Sequence, residues 1–231
     1  MTLASAAPAP WWVVGLVTLA GVAVGRLLSA RLVTGGYRLD DEQPRLLRGT
    51  GTLVTLAVPV LWGLLAWRVG APSAGALLPA YLLLAAVGVA LVWIDLDVHR
   101  LPEGLTLPAI PALVVLLAIA SATSGDWGAL GRAVVCAGAG WLGYVVLALA
   151  SPGGLGLGDA TLGGLVALPL GYLGWSLPVL GFVVAFLAAG AVTLAGLASR
   201  RLHLRSAIAF GPFILLGALA AVFLRFDIPG S

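Results

Sequence analysis

Apolar residues run along this chain in blocks of about twenty, separated by short stretches in which Gly, Pro, Arg and Asp gather. A helix needs about 20 such residues to cross ~30 Å of hydrocarbon, and no strand-like alternation competes with that spacing. Dividing the blocks by length and by their interruptions predicts eight transmembrane helices, at approximately 10–32, 51–69, 75–97, 104–122, 129–150, 159–175, 177–198 and 207–225. The fold class expected is therefore all-α, a polytopic membrane protein with about eight transmembrane helices. One polytopic domain accounts for residues 1–231. The block at 159–175 is short and glycine-rich, which makes seven or nine crossings the neighbouring counts.

Composition supports the pattern. The chain is 61% hydrophobic and 9% charged, with a mean hydropathy of +1.12, whereas soluble domains carry about 25% charged residues. All twelve basic residues are Arg. Arg31, Arg38, Arg45 and Arg48 fall in the first loop, Arg100 in the third, and Arg200, Arg201 and Arg205 in the seventh. Only Arg68, Arg132 and Arg225 fall on the other side, with Arg26 inside the first block. By the positive-inside rule the odd-numbered loops are cytosolic and both termini extracytoplasmic. The net charge of +3 then reflects topology, and without a basic patch no nucleic-acid partner is expected. Residues 1–10 lack the basic residues of a signal peptide and the first block is longer than its core, so cleavage there is not expected. Cys136 is the sole cysteine; it is expected to be a small buried residue and excludes an intrachain disulfide.

Two acidic motifs stand out against this background: Asp95 in Trp93-Ile94-Asp95-Leu96-Asp97-Val98-His99-Arg100-Leu101-Pro102-Glu103, and Asp159 in Gly156-Leu157-Gly158-Asp159. An Asp at the bilayer centre costs ~2.5–3.5 kcal/mol on insertion scales, so such residues are functional candidates. Counting crossings puts Asp95 at the cytosolic end of the third block and Asp159 at the cytosolic start of the sixth. Two carboxyls on one face suit hydrolysis, in which a base takes a proton from water and an acid protonates the carbonyl oxygen or departing amine. Close carboxylates cannot both ionise, so the pair holds one proton between them.

Each residue has a plainer role to set against this one. Asp159 can cap the sixth helix, and Asp95 can pair with Arg100 at the rim. Asp97, ~200° around a helix from Asp95, reads as a solvated rim carboxylate. His99 reads as a structural interfacial residue, and Asp126 and Asp227 as ordinary loop charges. Gly154, Gly156 and Gly158 precede Asp159 in a segment containing Ser151-Pro152-Gly153. Such backbone lines a polar cavity and lets a substrate approach; with no Lys following, it does not suit a phosphate loop. Other glycines, including Gly138, Gly140, Gly163 and Gly164, are expected to pack helices. The first loop, roughly 33–50, holds Asp40, Asp41, Glu42 and Pro44 and no Cys or His.

At these motifs the chain resembles the prepilin peptidases, GxGD-type intramembrane aspartyl proteases that process type IV pilin-like precursors. Their first motif, Ile-Asp-x-Asp followed after about five residues by Pro-Asp, is met by Ile94 to Glu103 apart from Glu103. Their Gly-x-Gly-Asp is met by Gly156 to Asp159. Gly21-Val22-Ala23-Val24-Gly25-Arg26-Leu27-Leu28 is similar to a weakened Gly-x-x-x-Gly-Ser-Phe-Leu, and Phe210-Gly211-Pro212-Phe213 to the family's Phe-Gly-Pro. Presenilin-like and signal-peptide-peptidase proteases place a Pro-Ala-Leu element after the second Asp; here Pro111-Ala112-Leu113 precedes it.

The resemblance implies a catalytic part at about 75–231, with Asp95 and Asp159 catalytic. Gly156, Gly158, Pro102, Gly211 and Pro212 would shape the site or substrate path. It implies a multi-pass protein of the bacterial inner membrane that cleaves the basic cytosolic leader of a prepilin or pseudopilin-like precursor, with no metal or organic cofactor. The short cytosolic loop at about 33–50 lacks the family's cysteine-bearing zinc segment, so methylation of the new N-terminus is not expected. Thr161 stands where the family commonly has a basic residue. Two other readings of the same carboxylates are a relay in a proton-coupled transporter, which would act near the bilayer midplane, and an inactive assembly scaffold.

Overall fold

A computed structural model describes residues 9–39, 42, 51–70, 75–150, 155–200 and 209–224. Each predicted block is a helix, its ends displaced by four residues or fewer: α1 (Trp11–Val33), α2 (Gly51–Val69), α3 (Leu78–Val98), α4 (Glu103–Ser124), α5 (Trp127–Ala150), α6 (Leu157–Leu173), α7 (Ser176–Ala198) and α8 (Gly211–Leu224). No strand occurs among the described residues. Six of the helices are long and apolar enough to cross a membrane, whereas α6 and α8 are shorter apolar helices of 17 and 14 residues. The chain is a multi-pass α-helical membrane protein.

The short α6 is the axis of the bundle. Every residue from Leu162 to Leu173 is buried, the signature of a helix apolar on all faces and enclosed by others. Helices α3, α4, α5, α7 and α8 all contact it. Its last carbonyls, which no further helical turn satisfies, accept hydrogen bonds from Arg132 of α5: Gly171 O at 2.8 Å from Nε and Tyr172 O at 2.6 Å from Nη2.

Small residues set the closest approaches, as expected where lipid supplies no hydrophobic drive between helices. A Cβ on Gly21 of α1 would lie 2.8 Å from Pro59 Cα, and one on Gly25 2.9 Å from Thr55 O, so these two glycines hold α1 against α2. Gly140, Gly163 and Gly164 likewise seat α5 on α6. Gly138 does not share this role, since it faces open space with nothing within 4 Å. Cys136 is buried against Gly171, as its residue type suggested.

Helix α3 ends abruptly. His99 is left-handed (φ 53°, ψ 42°), and its N–H donates to Asp95 O at 2.9 Å. A non-glycine residue holds such a conformation at a cost of about 1–3 kcal/mol. Pro102 is extended and caps α4, its carbonyl accepting the N–H groups of Leu105 and Thr106 at 3.1 and 3.3 Å. The turn between them folds Leu101 back into the protein. The end of α3, the starts of α6 and α8, and the turn after α1 thereby meet at one end of the bundle.

Candidate active site

Asp95 lies in the last turn of α3 and is 4% exposed. Its Oδ2 accepts the N–H of Gly211, the first residue of α8, at 2.8 Å. The positive end of α8 is thus turned toward the carboxylate. A Cβ at position 211 would stand 2.8 Å from that same oxygen, so glycine is what lets the two helices share this contact.

Asp159 is the third residue of α6, and its Oδ2 accepts the N–H of Gly156 at 2.9 Å. This is one half of a capping box, because Gly156 has no side chain with which to reciprocate. The capping role and a chemical role do not compete for the same oxygen. Each aspartate commits Oδ2 to a backbone N–H, and among the described residues neither Oδ1 is hydrogen-bonded.

Leu101 joins the two segments. A Cβ on Gly158 would come within 3.0 Å of Leu101 Cβ, and one on Gly211 within 3.5 Å of Leu101 Cδ2. The carboxylates carried beside these glycines lie within Coulombic range of each other. Pro102 shapes the turn carrying Leu101, while Pro212 lines an apolar groove of about 390 Å³ that runs between α2, α3 and α8 past Trp93 and Leu96.

Asp97 is not the solvated rim carboxylate its position suggested. It is fully buried, and its Oδ2 accepts from Tyr37 Oη at 2.6 Å and from Arg38 Nε at 2.7 Å. Trp93 Nε1 in turn donates to Tyr37 Oη at 3.1 Å. Nor does Arg100 serve Asp95 as a rim partner through any contact seen here: its Nε reaches Glu42 Oε1 at 2.7 Å, and its Nη2 reaches Tyr37 O at 2.8 Å. The turn after α1 is thereby fastened over the end of α3. Arg100 and the N–H of Leu39 hold the Glu42 carboxyl below its ordinary range. Burial, then the hydrogen bond to Asp97, push the Tyr37 phenol up, and the same carboxylate raises Arg38.

The remaining sequence candidates fall into place around this cluster. His99 is the helix-ending residue, and Glu103 opens α4 in an exposed position. Asp126 is more than a loop charge, since its Oδ1 accepts the N–H of Ala129 at 2.9 Å at the start of α5. Thr161 turns its hydroxyl back to Leu157 O at 3.3 Å. Gly154, Ser151-Pro152-Gly153, Asp40, Asp41, Pro44, Arg45, Arg48, Arg201, Arg205, Arg225 and Asp227 lie outside the described residues. Sequence reasoning missed Tyr37 and Arg38 as partners of Asp97; they lie 60 and 59 residues from it, and no local signal joins the two segments.

The chain matches no protein-family model, no curated protein and no solved structure.

Proposed function

We propose that this chain is an intramembrane aspartyl endopeptidase of the prepilin-peptidase kind, which cuts the leader from a type IV prepilin-like precursor at the cytosolic face of a bacterial inner membrane. The observation that carries this reading is the meeting of Asp95 and Asp159 from separate helices at one end of the bundle, each with one oxygen held by a backbone N–H and the other not hydrogen-bonded among the described residues. Residue parity supports it independently. Helices α4 and α5 are each long enough to cross, so two crossings return the chain after Asp95 to the same face before Asp159.

In this mechanism the dyad holds one proton. The ionised carboxyl takes a proton from water as it adds to the peptide carbonyl, and the protonated one supplies a proton to the carbonyl oxygen. As the C–N bond breaks, the departing amine takes the proton gained from water and a hydroxyl of the tetrahedral intermediate gives its proton to the other carboxylate, which restores the singly protonated dyad. Gly211 N–H fixes the Asp95 carboxyl, and Gly156 N–H that of Asp159, so neither must be ordered during the reaction. All eight helices would cross the membrane: α6 spans ~26 Å at 1.5 Å per residue, and its last carbonyls are satisfied within the protein by Arg132. Odd-numbered loops and the site face the cytosol. The placement of both carboxylates at helix ends is unfavourable to a midplane proton relay.

The test is cleavage of candidate precursors by the purified protein in lipid nanodiscs, followed by mass spectrometry. We expect a single cut before the apolar helix, with Asp95→Asn and Asp159→Asn each lowering the rate at least about 10³-fold, from the loss of a proton-transfer group worth ~10²–10⁴. Cleavage that survives either substitution would sink the dyad. A wild-type protein that cuts none of the precursors would favour the scaffold reading.

A further inference from the structure

Tyr144 lies two turns from the end of α5 and is only 4% exposed. Its ring is boxed by Phe182 at 5.2 Å, Phe186 at 6.1 Å and Phe210 at 6.3 Å between centroids. The edge of the ring rests on Gly163 of α6, where any Cβ would collide with it. Gly163 follows Asp159 by four residues, which places the two on one face of the helix, a turn apart. Phe210, which meets the ring edge-on, is bonded to Gly211, whose N–H holds Asp95. The ring therefore touches α6 one turn beyond Asp159 and the residue next to the N–H that holds Asp95, within range of the charge of Asp159.

Four neighbours fix the ring, yet among the described residues its hydroxyl makes no hydrogen bond. The residue as a whole is buried, but the hydroxyl oxygen itself is not sealed off and opens onto space that water or a substrate can enter; a phenylalanine would fill the same box without presenting a donor there. The three phenylalanines around it show that this chain uses that residue freely here. A donor held by a fixed ring at such an opening is placed to meet a group that enters from outside the protein.

We infer that Tyr144 is a third catalytic residue, whose hydroxyl donates a hydrogen bond to the scissile carbonyl oxygen as water adds to it. The inference rests on the protease reading above. In the step concerned, the new bond joins the water oxygen to the carbonyl carbon, and the water proton passes to one carboxylate. The carbonyl oxygen takes the proton of the other carboxyl. Tyr144 keeps its own proton and stabilises the oxygen while negative charge grows there, as preorganised donors do in acyl-transfer enzymes.

The test compares wild type with Tyr144→Phe, which preserves every ring contact, in three measurements: precursor cleavage, melting temperature in detergent, and affinity for a hydroxyethylene peptide that mimics the tetrahedral intermediate. The expected result is a fall of about 100-fold in kcat at unchanged KM, a comparable loss of affinity for the mimic, and an undiminished melting temperature. Equal cleavage by the two proteins overturns the inference and leaves the dyad standing. A loss of cleavage that tracks a lowered melting temperature assigns Tyr144 to packing and also overturns it. A wild type that cuts no precursor overturns the protease reading, and this inference with it.

Discussion

Two aspartates two residues apart on α3 are both buried, and they do opposite things. About 200° separates them around the helix, so Asp95 faces α8 and the turn at Leu101 while Asp97 faces Tyr37 and Arg38. Asp97 has its charge met by a guanidinium and a phenol, whereas among the described residues Asp95 receives only a neutral backbone donor. A paired carboxylate is locked in its ionised form and is of little use for moving protons; an unpaired one retains both states. This division argues for Asp95 as the chemical member of the motif. It also sets the price of losing Asp97. Removing one partner of a fully buried pair costs ~3–5 kcal/mol, but Arg38 is 26% exposed and water can rescue it. Asp97→Ala should therefore destabilise the protein by about 2 kcal/mol, roughly half that range. The measurement is denaturant unfolding in detergent micelles, and a change within 0.5 kcal/mol, about the size of an ordinary surface substitution, would show that the buried pair contributes nothing net.

The turn after α1 works as a clasp, with Tyr37 and Arg38 gripping Asp97 and Glu42 gripping Arg100. Little of it was legible in the sequence. The apolar blocks announced every helix because burial in lipid imposes a length that shows in the residues themselves. A clasp has no such period: its partners lie 58 to 60 residues apart, and nothing in either segment alone specifies the other. The end of a transmembrane helix ordinarily meets water, so the sequence alone points to a solvated Asp97. The Arg100–Glu42 half is testable by pH. The Glu42 carboxyl is held below its ordinary range by Arg100, so its contribution to stability is full above the unfolded value of about 4.3 and is lost as the pH falls through the lower folded value. The melting temperatures of wild type and Glu42→Gln should differ at pH 7 and draw together as the pH is lowered into the acid range below the unfolded value. A difference that persists unchanged under acid would mean that the charge on Glu42 is not what holds the clasp.

At the scale of the molecule, one buried helix organises the rest. Because α6 is enclosed by its neighbours, its N-terminus opens among protein groups at the end of the bundle, and Asp159 is delivered there rather than to lipid. The short length of that block, which made the number of crossings ambiguous in the sequence, thus has a cause in the packing. The convergence of α3, α6 and α8 was legible only in part: parity predicted that Asp95 and Asp159 share a face, but the hydrogen bond from Gly211 to Asp95 depends on a helix crossing that no local pattern records. Parity also makes the orientation testable. In a Cys136→Ser background, which removes the sole cysteine, single cysteines can be placed at Gly36, Gly104 and Ser124, all exposed positions. A membrane-impermeant maleimide added to intact cells should label Ser124→Cys, at the end of α4, and should reach Gly36→Cys and Gly104→Cys only after the membrane is opened. Gly36 and Gly104 are separated by α2 and α3, and Gly104 and Ser124 by α4 alone, so the three sites have to divide two against one. Labelling of Gly36→Cys and Ser124→Cys from the same side would break that count and remove the argument that a cytosolic leader can reach the two aspartates.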